Sequence, residues 1–368
     1  MKSIIKNLRN KLLSSFGYFW NSIISDTLID VIYIVEKPNW SIYCDGLEIT
    51  RQINRKIKPN FCKISNRPYI YRNKIIHFGS QYMWTEWYKY LPKNNKYVVN
   101  FYHGKNEDGD DVKEHICEFL KSVVYIDIIL TASSLIMKRL IKWGVPKNKI
   151  VLIPIGVNTN IFCPASEKKR IKIRKMLDLS SSEFLIGSFQ KDGVGWKEGL
   201  RPKLIKGPDI FVEVLKIIGK KIKIKALLTG PARGYVKNKL QLNNIPYSPF
   251  YLDSQQNISK FYQALDLYLV TSREEGGPKG IVEGLSSGIP VASTDVGMAR
   301  DFIKNNKNGI LLNSFDPELI ANQILSFLDM KDDFDVDEMR KSVYNADWKI
   351  VAEHHFSKIY KPLLNNNK

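Results

Sequence analysis

Residues able to do chemistry are densest in one stretch, Ser272-Arg-Glu-Glu-Gly-Gly-Pro-Lys-Gly-Ile-Val-Glu-Gly-Leu-Ser-Ser-Gly-Ile-Pro-Val291. An apolar run ending at Val270 feeds a Gly/Pro loop, and the loop opens a helix. Backbone N–H groups at such a start, that of Gly280 among them, suit a phosphate. Lys279 falls in the first turn, where a cation opposes the helix macrodipole and is better placed if a ligand anion neutralises it. Glu275 and Glu283 stand eight residues apart, one before the helix and one in its second turn, so both carboxylates can face one ligand. Glu283 is suited to a vicinal diol such as ribose. The competing interpretation of the same residues is a glycine-rich turn feeding an ordinary amphipathic helix with solvated acids.

Such a loop needs a buried strand behind it and a helix ahead of it, and the pattern of the chain supplies both repeatedly. Strands are expected at Asp30–Glu36, Lys74–Phe78, Tyr97–Tyr102, Ile126–Thr131 and Ile150–Ile153, with helical periodicity between most of them, as in Ser133–Trp143. Around residues 153–165 the pattern breaks into Ile-Pro-Ile-Gly-Val-Asn-Thr-Asn-Ile-Phe-Cys-Pro, a linker by composition. The alternation then resumes with strands at Phe184–Phe189, Lys223–Thr229, Leu267–Thr271 and Pro290–Ser293. Strands alternating with helices predict parallel sheets covered on both faces. The expected organisation is an amphipathic helix over 1–27, one Rossmann-like α/β domain over 28–155, a second over 160–345, and a helix over 346–363.

With 368 residues, 44% of them hydrophobic, the chain can bury two cores. No run approaches the roughly 20 apolar residues of a membrane span, and no secretory signal forms around Lys6, Arg9 and Lys11. Cys44, Cys62, Cys117 and Cys163 are scattered, with no metal spacing. A reduced, cytoplasmic protein without a structural metal is therefore expected. The net charge of +19 is uneven: residues 51–100 hold eleven Lys/Arg and one acid, Glu86. Simple solubility is one account of that. A face meeting something anionic, such as a membrane surface, a lipid-phosphate acceptor or nucleic acid, is the other. No nucleic-acid-binding motif supports the last. In the first 27 residues Ile4, Ile5, Leu8, Leu12, Phe16, Phe19 and Ile23 share one helical face with Lys2, Lys6 and Arg9 on its flank. Such a stripe is expected to dock on its own domain, with an interfacial membrane helix as the alternative.

The stretch around Glu275 and Glu283 resembles the E-x7-E motif of retaining glycosyltransferases of family 4, which have the GT-B fold, two Rossmann-like domains facing a cleft. Gly288-Ile-Pro-Val291 matches the strand entry after the motif helix, and Gly276-Gly-Pro-Lys279 replaces the commoner Gly-Phe-Gly-Leu. Further segments are similar: Phe261 to Ser272, Asp295 to Ile303, Asn308 to Leu312, Thr131 to Ser134, Ile153 to Asn158, and the helix from Trp348. The resemblance covers roughly residues 97–363 and is weak before that.

The resemblance implies a nucleotide-sugar donor, UDP- or GDP-linked, held by the C-terminal domain without a cofactor or metal. It assigns Lys206 to the diphosphate, and the hypothesis built on it adds Lys279 there, Glu283 on the ribose and Glu275 on the sugar. The family usually has an arginine just after the strand that precedes Lys206; here that place reads Phe189-Gln-Lys191 and an insertion, Asp192–Leu204, follows. Lys191 is the expected substitute, with Arg201 in reserve. His103, at a strand end before Gly104, resembles the N-domain histidine that points at the donor sugar. Asn39, Trp40 and Ser41 follow the first strand and are candidates for the acceptor side, with Trp40 equally suited to a core. The implied reaction is retaining transfer to a glycan or lipid-linked acceptor by front-face attack. A sugar-nucleotide epimerase of the same fold, a basic nucleic-acid-binding protein and an idle sugar-binding scaffold are the rivals.

Overall fold

The computed structural model describes residues 2–21, 29–36, 41–180, 182–251, 257–330 and 334–365, with side chains in the first helix placed from 5 to 15. Asn39 and Trp40 lie outside the described residues. The chain divides into two units, Met1–Ile155 with Trp348–Lys368, and Gly156–Asp347.

The first unit is built on six parallel strands: β1 (Val31–Ile34), β2 (Cys62–Ser65), β3 (Ile75–Phe78), β4 (Lys96–Asn100), β5 (Ile128–Thr131) and β6 (Ile150–Leu152), in the order β2-β1-β3-β4-β5-β6. Continuous apolar runs produce this arrangement because both faces are covered. Along β1, Val31, Tyr33 and Val35 pack with Ile49 and Ile53 of the helix Ser41–Lys56 and with Val351 and Ile359 of the C-terminal helices. Ile32 and Ile34 point the other way, into a core with Trp84, Phe101 and Phe119.

The C-terminal segment runs Trp348–His355 as α-helix, Phe356–Tyr360 as a π-helical turn, and Lys361–Asn365 as α-helix. The wide turn brings His355 and Tyr360 against His77 of β3, with ring centroids 5.8 Å away in each case. His77 is fully buried; its Nδ1 bonds the Tyr360 hydroxyl at 2.6 Å and its Nε2 bonds Asn100 Oδ1 at 2.7 Å. It is therefore an internal clamp rather than a residue open to a ligand.

Burial pushes the His77 imidazole down to about 3, with repulsion from His355 second, and burial pushes His355 down to about 4. The unfolded chain protonates both near 6.5, so below that pH it binds more protons than the folded chain does. Their contribution is fully present above 6.5 and is lost as pH falls toward the folded values, by about 1.4 kcal/mol per pH unit per histidine. The thermal midpoint of the first unit should fall on acidification through this window, and His77→Phe should flatten the slope. Equal slopes in wild type and variant would contradict it.

The second unit carries β7 (Phe184–Phe189), β8 (Ile224–Thr229), β9 (Tyr247–Phe250), β10 (Leu267–Val270), β11 (Val291–Thr294) and β12 (Gly309–Leu312), in the order β12-β11-β10-β7-β8-β9, all parallel. One face of this sheet packs Ile186, Leu228 and Leu269 against the helices Pro208–Ile218 and Pro317–Leu328. Chain order reverses between β7 and β10, the position where doubly wound sheets open a crevice at their carboxyl edge. Strands β2, β9 and β12 have no counterpart among the expected strands. Each is an edge strand, paired on one side only, and β9 contains Pro249, which an edge tolerates.

The helix Lys2–Asn21 does dock on its own unit, but through the face opposite to the expected one. Asn10 is buried and donates to the Glu86 carbonyl at 3.3 Å; Ser14 donates to the Tyr90 carbonyl. Arg9 and Lys6 meet the Glu86 carboxylate at 3.0 and 3.1 Å. Ile5, Leu8 and Leu12 are exposed. The Glu86 and Tyr90 carbonyls and the Glu86 carboxylate accept from donors of this helix, which favours its polar face.

Candidate active site

At the carboxyl edge between β7 and β10 two chain segments meet that are distant in sequence. After β7, Gln190 Nε2 donates to the Lys206 carbonyl at 3.1 Å. After β10, Thr271 Oγ1 donates to the Gly207 carbonyl at 2.8 Å, and the Arg273 N–H donates to the Ile205 carbonyl at 2.8 Å. Arg273 also forks onto Asp209 at 2.9 and 2.6 Å, which ties the loop to the start of the helix Pro208–Ile218. Gly207 is left-handed at φ 62°, and a methyl there would lie 1.8 Å from the Thr271 carbonyl oxygen. Only glycine lets the two backbones approach this closely.

This bracing sets Lys206 and Glu275 against each other, Nζ to Oε1 at 2.5 Å, with the Ser272 hydroxyl donating to the same carboxylate oxygen at 2.9 Å. Both side chains retain some exposure, 24% for Lys206 and 12% for Glu275, so the pair can be reached. Lys203, which nothing in the sequence marked, joins the same neighbourhood. Partial burial lowers its pKa most, Lys206 next, while Glu275 raises it and Lys191 adds a smaller downward push. Lys203 and Lys206 thus lie beside one carboxylate, a local positive field suited to a diphosphate.

The loop from Glu275 continues into the helix Lys279–Ser286. Gly280 rests on Tyr268 so closely that a methyl would come 2.3 Å from its hydroxyl oxygen. Glu283, one turn in, accepts from the Tyr262 hydroxyl at 2.8 Å, and Tyr262 packs against Phe189 with centroids 4.8 Å apart. Beneath the loop, Gly297 at φ 50° lets the segment after β11 touch Gly276 and Pro278. Glu275, Lys279 and Glu283 all follow the carboxyl end of β10.

The segment after β7 carries Lys191 and Arg201. The Nζ of Lys191 lies 3.7 Å from the centroid of the Trp196 ring, an engaged cation rather than an open one. Arg201 is exposed on the outgoing arm, its carbonyl accepting from Val194 N–H at 2.8 Å. The arginine nearest the end of β7 is Arg233, contributed from after β8. It is fully buried, donates to the carbonyls of Ser188, Gln190 and Thr229 at 2.6, 2.9 and 3.0 Å, and pairs with Asp192 at 3.1 Å. Burial lowers its pKa while Asp192 raises it. Arg233 braces the loop from below and is closed to a ligand. In the first unit His103 is exposed after β4; its carbonyl accepts from Gln81 Nε2 at 2.7 Å and its ring lies 6.0 Å from Tyr82. Ser41 is the exposed first residue of its helix.

Residues 200–347, which contain all of the Lys203–Lys206–Glu275–Glu283 edge, match the family model "Glycosyl transferases group 1". This segment is similar to glycosyl transferases group 1. Similar proteins include the lipopolysaccharide core biosynthesis mannosyltransferase LpsB of Rhizobium meliloti, 24% identical over 47% of this chain and 49% of its own. The UDP-Gal:alpha-D-GlcNAc-diphosphoundecaprenol alpha-1,3-galactosyltransferase of Escherichia coli is 27% identical over 50% and 46%. The chain thus spans about half the length of these relatives. Among solved structures, Anabaena Alr3699/HepE with UDP-glucose aligns at a TM-score of 0.71 and 15% identity, over 92% of this chain and 99% of that one. A glycosyltransferase from Rickettsia africae aligns at 0.67 and 19%, with the same coverage. The two doubly wound units have the GT-B fold, shared with these neighbours.

Proposed function

We propose that the chain is a retaining, metal-independent glycosyltransferase that moves a sugar from a nucleotide-sugar, UDP- or GDP-linked, to a glycan or lipid-linked acceptor. The observation that carries this is the Lys206–Glu275 pair at the reversal of the second sheet, beside the helix opening at Lys279 and inside the group 1 segment. The names of the relatives point the same way: one uses UDP-Gal and a diphosphoundecaprenol acceptor, and another, from Streptococcus pneumoniae, is an alpha-galactosylglucosyldiacylglycerol synthase. The second unit takes the donor and the first takes the acceptor, with His103 contributing hydrogen bonds to the sugar and Ser41, Asn39 and Trp40 on the acceptor side.

In this scheme Glu283, held by Tyr262, pairs with the ribose diol, and Lys206, Lys203 and Lys279 surround the diphosphate. The bond between the anomeric carbon and the phosphate oxygen breaks, and negative charge grows on the departing diphosphate where the lysines lie. The acceptor oxygen bonds to the anomeric carbon from the same face. Its proton passes to the leaving phosphate oxygen, so configuration is retained without a covalent enzyme intermediate. Glu275 orients the sugar while its charge is balanced by Lys206. Lys191, engaged with Trp196, and Arg201 become contributors only if the insertion shifts on donor binding.

Thermal midpoints measured with UDP-, GDP-, ADP- and CMP-sugars test the donor. One nucleotide class should raise the midpoint, Glu283→Ala should remove the response, and product formed in EDTA should equal that formed with Mn²⁺. No response to any nucleotide sugar would overturn the proposal. Donor conversion without any acceptor would favour an epimerase.

A further inference from the structure

The first helix buries its polar face and exposes its apolar one. Asn10 is 1% exposed, whereas Ile5, Leu8 and Leu12 are 62%, 57% and 59% exposed. Their spacing of three and four residues aligns them in one stripe, and the sequence repeats the spacing at Phe16 and Phe19. A folded chain rarely leaves such a stripe to water without a surface to place on it.

Charge identifies that surface. Glu86 is the single acid of the basic 51–100 segment, and Lys6 and Arg9 of this helix are the cations that pair with it. The helix packs against Pro68–Ile70 and Tyr88–Tyr90, and the exposed cations Arg67 and Lys93 border those two segments, with Lys11 exposed on the helix itself. Two copies of this chain meeting through the stripe would bring two such positive fields together, which disfavours self-pairing. An anionic lipid surface accepts both the stripe and the cations.

We propose that this face of the first unit docks on an anionic bilayer, the helix lying in the interface with Ile5, Leu8 and Leu12 among the acyl chains and Lys11, Arg67 and Lys93 at the headgroups. The proposal goes beyond the transferase reading and stands on helix geometry, so vesicle binding and sugar transfer succeed or fail independently.

The test is co-sedimentation of the full chain with vesicles of phosphatidylcholine alone or mixed equally with phosphatidylglycerol. The chain should sediment with the anionic vesicles, and Leu8→Glu/Leu12→Glu should lower partitioning by about tenfold or more. That variant should keep the wild-type thermal midpoint, because both side chains are exposed. Lys11→Glu/Lys93→Glu should weaken the preference for phosphatidylglycerol. Absence of sedimentation with every vesicle, or sedimentation unchanged in Leu8→Glu/Leu12→Glu, would overturn the proposal. A concentration-dependent dimer lost in that variant, without vesicle binding, would assign the face to a second copy instead.

Discussion

Lys206→Ala is expected to lower kcat/KM for sugar transfer by about 10²- to 10³-fold while leaving the folded unit intact. Lys206 lies 2.5 Å from Glu275 and close enough to Lys203 to depress its pKa, so it is the cation common to the carboxylate and the lysine cluster. Its loss removes charge from where the departing diphosphate would need it and leaves Glu275 with the Ser272 hydroxyl as its described donor. The pair is partly exposed, so its contribution to stability is about 1 kcal/mol at most. Lys206→Arg should recover part of the activity, since charge is kept and a planar fork replaces a point charge. The comparison needs kcat/KM for all three proteins beside their thermal midpoints. A large fall in midpoint with proportionate loss of activity would make Lys206 a structural residue and sink the assignment.

Gly207→Ala has the largest expected effect on stability. The backbone there is left-handed, φ 62°, which costs a residue with a Cβ about 1 kcal/mol. The added methyl would also lie 1.8 Å from the Thr271 carbonyl oxygen, far inside contact, so the exit of β10 must move. That movement breaks the Thr271-to-Gly207 hydrogen bond at 2.8 Å and strains the Arg273–Asp209 fork. A total loss of about 3 kcal/mol or more follows, a fall in midpoint on the order of 10 °C for a unit of this size. Nucleotide response should go with it, because Lys206 is the adjacent residue. A variant with the wild-type midpoint would show that the two segments can part freely and that the close approach does not hold the site together.

The residues of this site differ in how legible they were. Lys206 stood out through its resemblance to a family motif, and Glu275, Lys279 and Glu283 stood out because strand, loop and helix are contiguous in sequence. Lys203 did not, since it sits in an insertion of ordinary polar composition and matters only once the insertion folds back on Lys206. The Asp192–Arg233 pair was equally hidden: it joins a loop after β7 to a turn after β8, and no local pattern encodes a buried ion pair between them. The expected Lys191 stands at the right place in the chain but is drawn to the Trp196 ring.

By itself the sequence determined the interior of both sheets, because a strand buried on two faces must be apolar throughout and Val, Ile and Leu runs record that directly. It also determined the strand–loop–helix unit after β10, whose glycines and acids lie along one segment. Tertiary structure alone decided three of the four edge strands, β2, β9 and β12, which are paired on one side and owe their extended form to a neighbour rather than to their own residues. It alone decided that Lys206 faces Glu275 across 69 positions of chain. It also decided which side of the first helix meets the protein. Amphipathic periodicity defines two faces but not their partners, and Glu86 with the carbonyls around it selected the polar one.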